Sequence, residues 1–438
     1  MGPCVRGTGA DGSILHGLVV YRPETAIVVP WTSRQFWAGA RRSVPLNVWL
    51  LGLTSLLTDV SSEMVVSVLP AYVVLGLHLS PLTYGALDGL YSGATILTRW
   101  MGGAVADMRG RYKGVALAGY GLSALCRAGL VLVGASPVAI AGVIAADRVG
   151  KGLRTAPRDA LISLSAPAET LAHAFGVHRA LDATGALLGP LVAVWLLRAI
   201  PGAYDVVFVT SFAIALVGVG VLATLVRNVR GAPGQGGLRP SLVASLALLG
   251  RGDVGRIVAA SGMLGLVTAS DGLIYVALQA GLQYPIHWLP LLYAGTSASF
   301  LLLSVPVGII ADRLGRTRVF ILGHVALLLV YALLLAPRGG MALPLLAVAL
   351  LGAYYAATDG VLMALASTVV PAVQRGSGLA LVATATSLGR MGAAIGFGFV
   401  WTMWSRELAV GSFALALIGS LALAGRLLHA LRPDGGSL

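Results

Sequence analysis

The chain has 438 residues, of which 57% are hydrophobic and 11% are charged. A soluble globular protein is about 45–50% apolar and about 25% charged, so this composition argues against a soluble enzyme and indicates a protein of the lipid bilayer. The formal net charge of +13 is spread between apolar runs and does not gather on one face, so no nucleic-acid partner is expected. Cys4 and Cys126 lie far apart, and the sequence predicts no disulfide framework, metal site or cofactor.

Residues 1–43 contain only short apolar stretches, broken by His16, Pro23 and Glu24, which do not fit a signal peptide. They are predicted to form a disordered cytoplasmic tail or, alternatively, to precede the true start of the protein. A helix needs about 20 apolar residues to cross ~30 Å of hydrocarbon. Residues 44–226 contain six runs of that length and predict an N-terminal six-helix bundle. The runs are 46–76, 82–104, 115–135, 138–160, 174–198 and 204–226.

Residues 227–254 are rich in Gly, Pro and Arg and predict a cytoplasmic linker. Residues 255–432 predict a second six-helix bundle, followed by a tail over 433–438. Its runs are 255–281, 287–310, 319–337, 342–368, 378–403 and 408–430. The predicted fold is therefore an all-α membrane protein of twelve transmembrane helices. Most basic residues lie in the loops on one side, so both termini are expected in the cytoplasm and the protein in the inner membrane.

Two short motifs occur once in each half of the chain. The string GAVADMRGRYK begins at Gly103, and its counterpart GIIADRLGRTR begins at Gly308. GALLG, which begins at Gly185, recurs as GAAIG, which begins at Gly392. Two matched halves are typical of transporters built from repeated helix bundles.

These motifs carry a resemblance to the major facilitator superfamily. The pattern G-x-x-A-D-x-x-G-R-x-[K/R] resembles the loop motif of that family, and Arg148 followed by Gly152 resembles its fourth-span motif. Gly185-x-x-x-Gly189-Pro190 resembles the fifth-span motif of its twelve-span drug–proton antiporters. The resemblance covers about residues 44–432. The strings TDVSSEM and DRVGKGLRTAPRDALI resemble a large bacterial branch whose substrate the resemblance does not fix.

The resemblance implies that the two motif loops act as a conformational latch on the cytoplasmic side; the alternative is an ordinary basic loop that fixes topology. The latch residues would be Gly103, Asp107, Gly110, Arg111, Gly308, Asp312, Arg313, Gly315 and Arg316. Met108 stands where the family motif usually has Arg. In span five, the glycine pair predicts close helix packing in lipid, and Pro190 predicts a bend.

Charged residues are concentrated within spans one, four and five. They are Asp59, Glu63, Asp147, Arg148, Lys151, Arg179 and Asp182. Each charge at the bilayer centre costs about 2.5–3.5 kcal/mol on insertion scales, while a leucine returns only about 0.5 kcal/mol. The charges are therefore expected to face one another or water.

Asp59 and Glu63 are one helical turn apart, and both are expected to pair with Arg148, Lys151 and Arg179. The cluster is either a fixed ion-pair network or a proton-coupling site, with Glu63 as the first candidate for the proton carrier and Asp59 as the second. Arg127 in span three is interpreted as a structural partner for a neighbouring acid.

A further set of residues is predicted to line a substrate cavity, with helix packing as the alternative role for the tyrosines. They are Tyr91, Asp271, Tyr275, Tyr293, Asp359 and Arg390. The hypothesis is a secondary active transporter that exports a small organic molecule by proton-coupled alternating access. The alternatives are an importer of a small metabolite and a non-transporting sensor or scaffold. The expected partners are the substrate, protons and the bilayer, and the protein is expected to be a monomer.

Overall fold

A computed structural model of the chain describes residues 17–22, 25–30, 44–107, 112–167, 170–229, 248–250, 252–282, 284–336, 342–370 and 375–431. Only the backbone is described at 17–22, 25–30, 95–107, 172, 282 and 375–377. Most of the predicted linker over 227–254 and all of the tail over 433–438 lie outside these ranges.

The N-terminal bundle contains six α-helices in its described residues, which match the six predicted spans. They are α1 (Leu46–Pro70), α2 (Pro81–Asp107), α3 (Tyr112–Leu132), α4 (Pro137–Ser165), α5 (Leu171–Ala199) and α6 (Tyr204–Thr224). A π-helical segment, Ala71–Gly76, extends α1. Helix α4 has a strong start signal, because Ser136 caps the amide of Ala139 and Pro137 occupies the first turn.

The C-terminal bundle contains seven described α-helices, because its first span is broken in two. They are α7 (Gly252–Leu266), α8 (Asp271–Leu282), α9 (Leu289–Leu314), α10 (Arg316–Leu335), α11 (Ala342–Val369), α12 (Arg375–Met403) and α13 (Arg406–His429). Short 3₁₀ turns precede α7 at Leu248–Gly250 and α9 at Ile286–Trp288.

The break between α7 and α8 corrects the continuous span predicted over 255–281. The fully buried Tyr331 of α10 bridges the break. Its hydroxyl accepts a hydrogen bond from the Ala269 amide at 2.7 Å and donates one to the Val267 carbonyl at 2.9 Å. A non-helical backbone at membrane depth is tolerated only where it is buried in protein or lines a cavity. This tyrosine therefore supplies hydrogen bonds that the helix gives up.

Residues Gly17–Arg22 and Thr25–Pro30 form an antiparallel hairpin, β1–β2, in which Gly17 pairs with Pro30. The prediction of a disordered tail over 1–43 is therefore wrong for these residues. Both strands are rich in Val, with Tyr, Ile and Thr, which favour extended structure, and Pro23 and Glu24 separate them.

The packing of the helices follows the internal repeat. In the first bundle α1 packs on α5 and α6, and α4 packs on α2 and α3; in the second, α11 packs on α9 and α10, and α12 on α7. Between bundles, α2 packs on α12 and α5 packs on α9. The second and eighth spans correspond in the repeat, as do the fifth and eleventh, so both halves contribute equivalent helices to the contact.

The bundles are in close contact at the end away from the motif loops. The Leu82 amide donates a hydrogen bond to Thr402 Oγ1 at 2.9 Å. A β-carbon on Gly398 would lie only 2.5 Å from the Pro81 carbonyl oxygen, so the start of α2 and the end of α12 touch through their backbones. This contact closes the molecule at that end.

Ten helical segments in the described residues are long and apolar enough to cross a membrane by length and composition, and α4 is not one of them. This helix carries six charged residues within its last 19 positions, Asp147, Arg148, Lys151, Arg154, Arg158 and Asp159. It nevertheless packs inside the first bundle, against α2 and α3. The charges of α4 must therefore be satisfied within the bundle.

Candidate functional site

An ion-pair triad lies in the core of the first bundle, made of Asp147 and Arg148 of α4 and Arg127 of α3. Arg127 Nη2 lies 3.0 Å from Asp147 Oδ1, and Arg148 Nε donates to Asp147 Oδ2 at 3.1 Å. All three side chains are at most 6% exposed. The Arg148 guanidinium also stacks 3.7 Å from the centre of the Tyr91 ring, so α2 is joined to the triad.

A second group of charges, the Asp182 cluster, lies further along α4 and α5. Asp182 of α5 is within 4 Å of His178 at 3.5 Å, Arg179 at 3.6 Å and Arg158 at 3.9 Å. Arg158 also pairs with Asp159 at 3.0 Å. The Arg179 side chain is 68% exposed, so it is the most solvent-accessible member of the cluster.

The partners of the two acids in α1 differ from the sequence prediction. Asp59 lies 3.9 Å from Arg154, whereas Arg148 pairs with Asp147 and Arg179 with Asp182. The prediction that Asp59 and Glu63 bind Arg148, Lys151 and Arg179 is therefore wrong in its pairings. The physical reason is that the long arginine side chains reach acids on their own helix or on the adjacent one. Asp59, Asp147 and Arg148 do lie near opposite charges inside the bundle, as expected, whereas the Arg179 side chain is 68% exposed.

Glu63 and Lys151 form neither an ion pair nor a side-chain hydrogen bond within the part of the chain that the structure describes. Both are half-buried. Lys151 and Arg148 provide favourable electrostatic interactions at the Glu63 carboxylate, and Asp59 provides an unfavourable one. Glu63 is thus surrounded by charges but held by none of them, which sets it apart from Asp147.

Arg154 and Arg158 were counted from sequence among the charges at the cytoplasmic end of span four, which was predicted to end at residue 160. The helix instead continues to Ser165, and the two arginines are 4% and 8% exposed. A spacing signal was present, since Asp147, Lys151, Arg154 and Arg158 recur every three or four residues and therefore lie on one helix face.

The first glycine pair lies where α5 crosses α1. A β-carbon on Gly185 would come within 2.6 Å of the Leu56 carbonyl oxygen, and one on Gly189 within 2.6 Å of the Val60 carbonyl oxygen. The predicted close packing is confirmed for this copy. The second copy is looser, because a β-carbon on Gly396 would meet only Phe413 Cζ at 3.8 Å.

Gly189→Ala is expected to destabilise the protein by about 1–3 kcal/mol, because the new methyl group meets the backbone of Val60 and the Cβ of Glu63 at 2.8 Å. Gly396→Ala is the matched control and is expected to be neutral or slightly stabilising, since alanine favours helices over glycine. Thermal unfolding of the detergent-solubilised protein measures both. Equal shifts in Tm would contradict the tight crossing of α1 and α5.

The second motif loop is well described. Gly315 has a φ of +98°, a conformation that glycine adopts without strain, and it ends α9 directly before α10 begins. Arg316 Nη2 bonds Asp312 Oδ1 at 2.9 Å, and Nη1 donates to the Ala364 carbonyl at 3.1 Å. This loop is therefore tied to α11.

The other motif residues have fewer described contacts. Arg313 is exposed, and Gly308 has open space where a side chain would lie. In the first loop, Gly103 and Asp107 belong to the end of α2 with only their backbone described. Gly110 and Arg111 lie outside the described residues.

Two adjoining cavities of about 130 and 180 Å³ share Asp271, Tyr293 and Tyr355; together they are called the central cavity below. The larger is lined by residues of both bundles, and the smaller by residues of the second bundle. All the predicted cavity residues line it. These are Tyr91, Asp271, Tyr275, Tyr293, Asp359 and Arg390. Sequence reasoning missed Asp88 of α2, which lines the larger cavity. A signal was present, since Asp88 is an acid inside an apolar run, as Asp271 is.

The polar contacts of the central cavity are few. Tyr355 donates a hydrogen bond to Asp271 Oδ1 at 2.8 Å, and Tyr275 shares one with Thr296 at 2.7 Å. Arg390 Nη2 lies 3.4 Å from Asp359, whose side chain is 52% exposed. The cavity thus combines aromatic rings with carboxylates, which suits a small organic molecule that carries hydrogen-bond donors.

Known proteins with a similar sequence or fold include membrane transporters. A model of the Major Facilitator Superfamily matches residues 51–394. An uncharacterized MFS-type transporter of Methanocaldococcus jannaschii is 28% identical over 395 residues, which cover 87% of this chain and 95% of that one. The solved nucleoside transporter NupG has a TM-score of 0.75 at 16% identity, covering 88% of this chain and 100% of its own. The peptide transporter POT in complex with sulfate has a TM-score of 0.71 at 15% identity, covering 91% and 98%.

Proposed function

The chain belongs to the Major Facilitator Superfamily and is a multi-pass membrane transporter, and on this premise we propose that it exports a small organic molecule in exchange for protons. It would act as a monomer in the inner membrane, with both termini in the cytoplasm. The residues proposed to couple protons to transport are those of the first bundle, with Glu63 as the proton carrier.

The observation that carries the proposal is the state of Glu63. Asp147 is held by two arginines and cannot release its charge without leaving both of them buried and unpaired. Glu63 can take up or release a proton without breaking any ion pair in the described part of the chain. A transporter needs one such site among its fixed charges, and Glu63 fits that role.

Glu63 also contacts a helix that packs against the second bundle. A β-carbon on Gly189 of α5 would meet the Glu63 Cβ at 2.8 Å, so α5 rests directly on this residue. Helix α5 in turn packs on α9 of the second bundle. A change of charge or rotamer at Glu63 would therefore act on a helix that forms the contact between bundles.

The test is transport by purified full-length protein in proteoliposomes with an imposed pH gradient and a trapped pH-sensitive dye. Organic amines, sugars and organic acids are added in turn, and proton flux and solute movement are measured together. Export requires that protons and solute move in opposite directions. Movement in the same direction would indicate an importer, solute movement without protons a facilitator, and no movement of any solute a sensor or scaffold.

Asp312→Asn tests the latch. The Asp312–Arg316 pair is exposed and spans one turn, so its loss is expected to cost only about 0.3–0.5 kcal/mol of stability. Transport is expected to fall severalfold, because Arg316 loses the carboxylate that holds it beside α11. Stability is measured by thermal unfolding and transport in proteoliposomes.

The matched control is Asp253→Asn. Asp253 pairs with Arg256 at 2.7 Å over a similar spacing, and Arg256 also donates to a backbone carbonyl, that of Ala430. The pair lies outside the motif, so this change is expected to leave transport unaltered. Equal transport by the Asp312 and Asp253 variants would contradict the latch and would indicate that the motif loop only fixes the topology of the chain.

A further inference from the structure

The break in the seventh span exposes backbone acceptors to the central cavity. Thr268 and Ala269 are 5% and 2% exposed and line the larger cavity. Their carbonyl oxygens accept no hydrogen bond from any residue in the described ranges, whereas the carbonyls on either side bond Tyr331 and Ile274. An unpaired buried carbonyl is costly, so two together indicate that something else supplies the donors.

Two carboxylates from opposite bundles reach the same cavity. Asp271 begins α8, Asp88 comes from the middle of α2, and Asp88 lies beside Ser270 in the break. Neither carboxylate forms an ion pair with a residue that the structure describes. Arg390, the cation that lines this cavity, is directed to Asp359 at 3.4 Å and to the Tyr354 hydroxyl at 3.3 Å. Asp88 and Asp271 therefore have no cation within ion-pair distance in the described part of the chain, and Arg390 acts on them only from further away.

Aromatic rings complete the surroundings. Tyr91, Tyr293 and Tyr355 line the same cavity as the two acids, and Tyr275 packs edge-on against Tyr293 with centroids 4.6 Å apart. A cation near the face of a tyrosine ring is attracted by its quadrupole. Acceptors and aromatic faces thus surround one space, together with hydroxyl groups that can donate or accept; the lining cation is Arg390.

We infer that the break between α7 and α8, together with Asp88 of α2, forms a binding site for a protonated organic amine. As the substrate site of an exporter it rests on the proposed function, and it names the class of substrate. The ammonium group donates to Asp88, Asp271 and the two free carbonyls, while its organic part lies among the tyrosines. One ligand thereby bridges the two bundles and replaces the repulsion between two carboxylates by attraction to a shared cation.

Other ligands fit less well. A carboxylate would be repelled by Asp88 and Asp271, and the one cation of the described lining, Arg390, already contacts Asp359 and Tyr354. A sodium ion could use the same oxygens, but it would leave most of a 180 Å³ space and its aromatic lining unused. A neutral alcohol offers one hydrogen to an arrangement of four acceptors. The protonated amine matches the charge, the number of donors and the aromatic surface together.

The experiment compares three probes that share a phenyl ring on a two-carbon chain: 2-phenylethylamine, 2-phenylethanol and 3-phenylpropionate. Binding to the purified full-length protein in detergent is measured by calorimetry, in sodium-free buffer and with added sodium chloride. The amine is expected to bind at least about tenfold more tightly than the other two probes, and Asp88→Asn and Asp271→Asn are each expected to lose about tenfold in amine affinity. Sodium is expected to leave amine binding unchanged.

Asp205→Asn is the matched control, because Asp205 is an exposed acid in the first turn of α6, outside the cavity. Its amine affinity should equal that of the unsubstituted protein. Retained 2-phenylethanol binding and an unchanged Tm show that the Asp88 and Asp271 variants remain folded. The inference is overturned if the amine does not bind, if the three probes bind equally, if either cavity variant binds the amine normally, or if sodium displaces it.

This binding assay separates the inference from the proposed function. It needs neither a pH gradient nor transport. Amine binding by a protein that shows no proton exchange would contradict proton-coupled export and would still support the amine site. Proton-coupled export of neutral or anionic solutes with no amine binding would support the proposed export and contradict the amine site.

Discussion

Glu63→Gln is expected to abolish proton-driven transport while leaving the protein folded and able to bind its substrate. Glutamine keeps the shape of the side chain but cannot carry a proton on and off. The expected loss is on the order of 10²-fold, the size typical when a positioned proton-transfer group is removed. Stability should change little, because Glu63 holds no ion pair in the described part of the chain. The measurement is solute flux driven by a pH gradient in proteoliposomes.

Glu407→Gln is the matched control, since Glu407 is 60% exposed and its ion pair within the described residues is with the adjacent Arg406 at the start of α13. It should transport normally. Solute exchange without a gradient is the second readout, because it requires alternating access but no net proton movement. Gradient-driven flux that survives in the Glu63 variant would show that another group carries the proton, and Asp59 would be tested next.

Asp147→Asn is expected to destabilise the protein by about 3–5 kcal/mol, the cost of leaving buried charges without their partner. Asp147 is the acid that Arg127 and Arg148 share, and both are almost inaccessible to solvent. Removing the carboxylate leaves two guanidinium groups facing each other in the bundle core. Chemical or thermal unfolding in detergent measures the change.

The control and the rescue for this variant use the same assay. Asp205→Asn removes an equal charge at an exposed position and is expected to stay within about 0.5 kcal/mol of the parent. Adding Arg127→Gln to Asp147→Asn removes one of the stranded cations and should recover part of the stability. A loss below about 1 kcal/mol for Asp147→Asn alone would mean that the triad is solvated.

The large-scale architecture could be read from sequence because hydropathy and repetition act over many residues. The twelve spans and the two halves follow from apolar runs and from motifs that occur twice. The central cavity also followed, since polar residues such as Asp271 and Arg390 inside apolar runs must face a space between helices.

The individual pairings could not be read from sequence, because they depend on side-chain reach and helix rotation. Arg148 turns back to the neighbouring Asp147, and Arg154 reaches Asp59 from the second half of α4, which continues beyond the predicted end of span four. The break in span seven was hidden for a related reason. Its residues are apolar or small, and the hydrogen bonds that make the break possible come from Tyr331, more than 60 residues later.

The Tyr331 bridge sets an order of events during biogenesis. The segment Gly252–Gly281 is long and apolar enough to span a membrane. The hydroxyl that stabilises the break within it belongs to Tyr331 of α10, a helix that is synthesised later. The two hydrogen bonds therefore cannot form until α10 has been synthesised and has packed against the break. A fragment that ends before residue 331 lacks them.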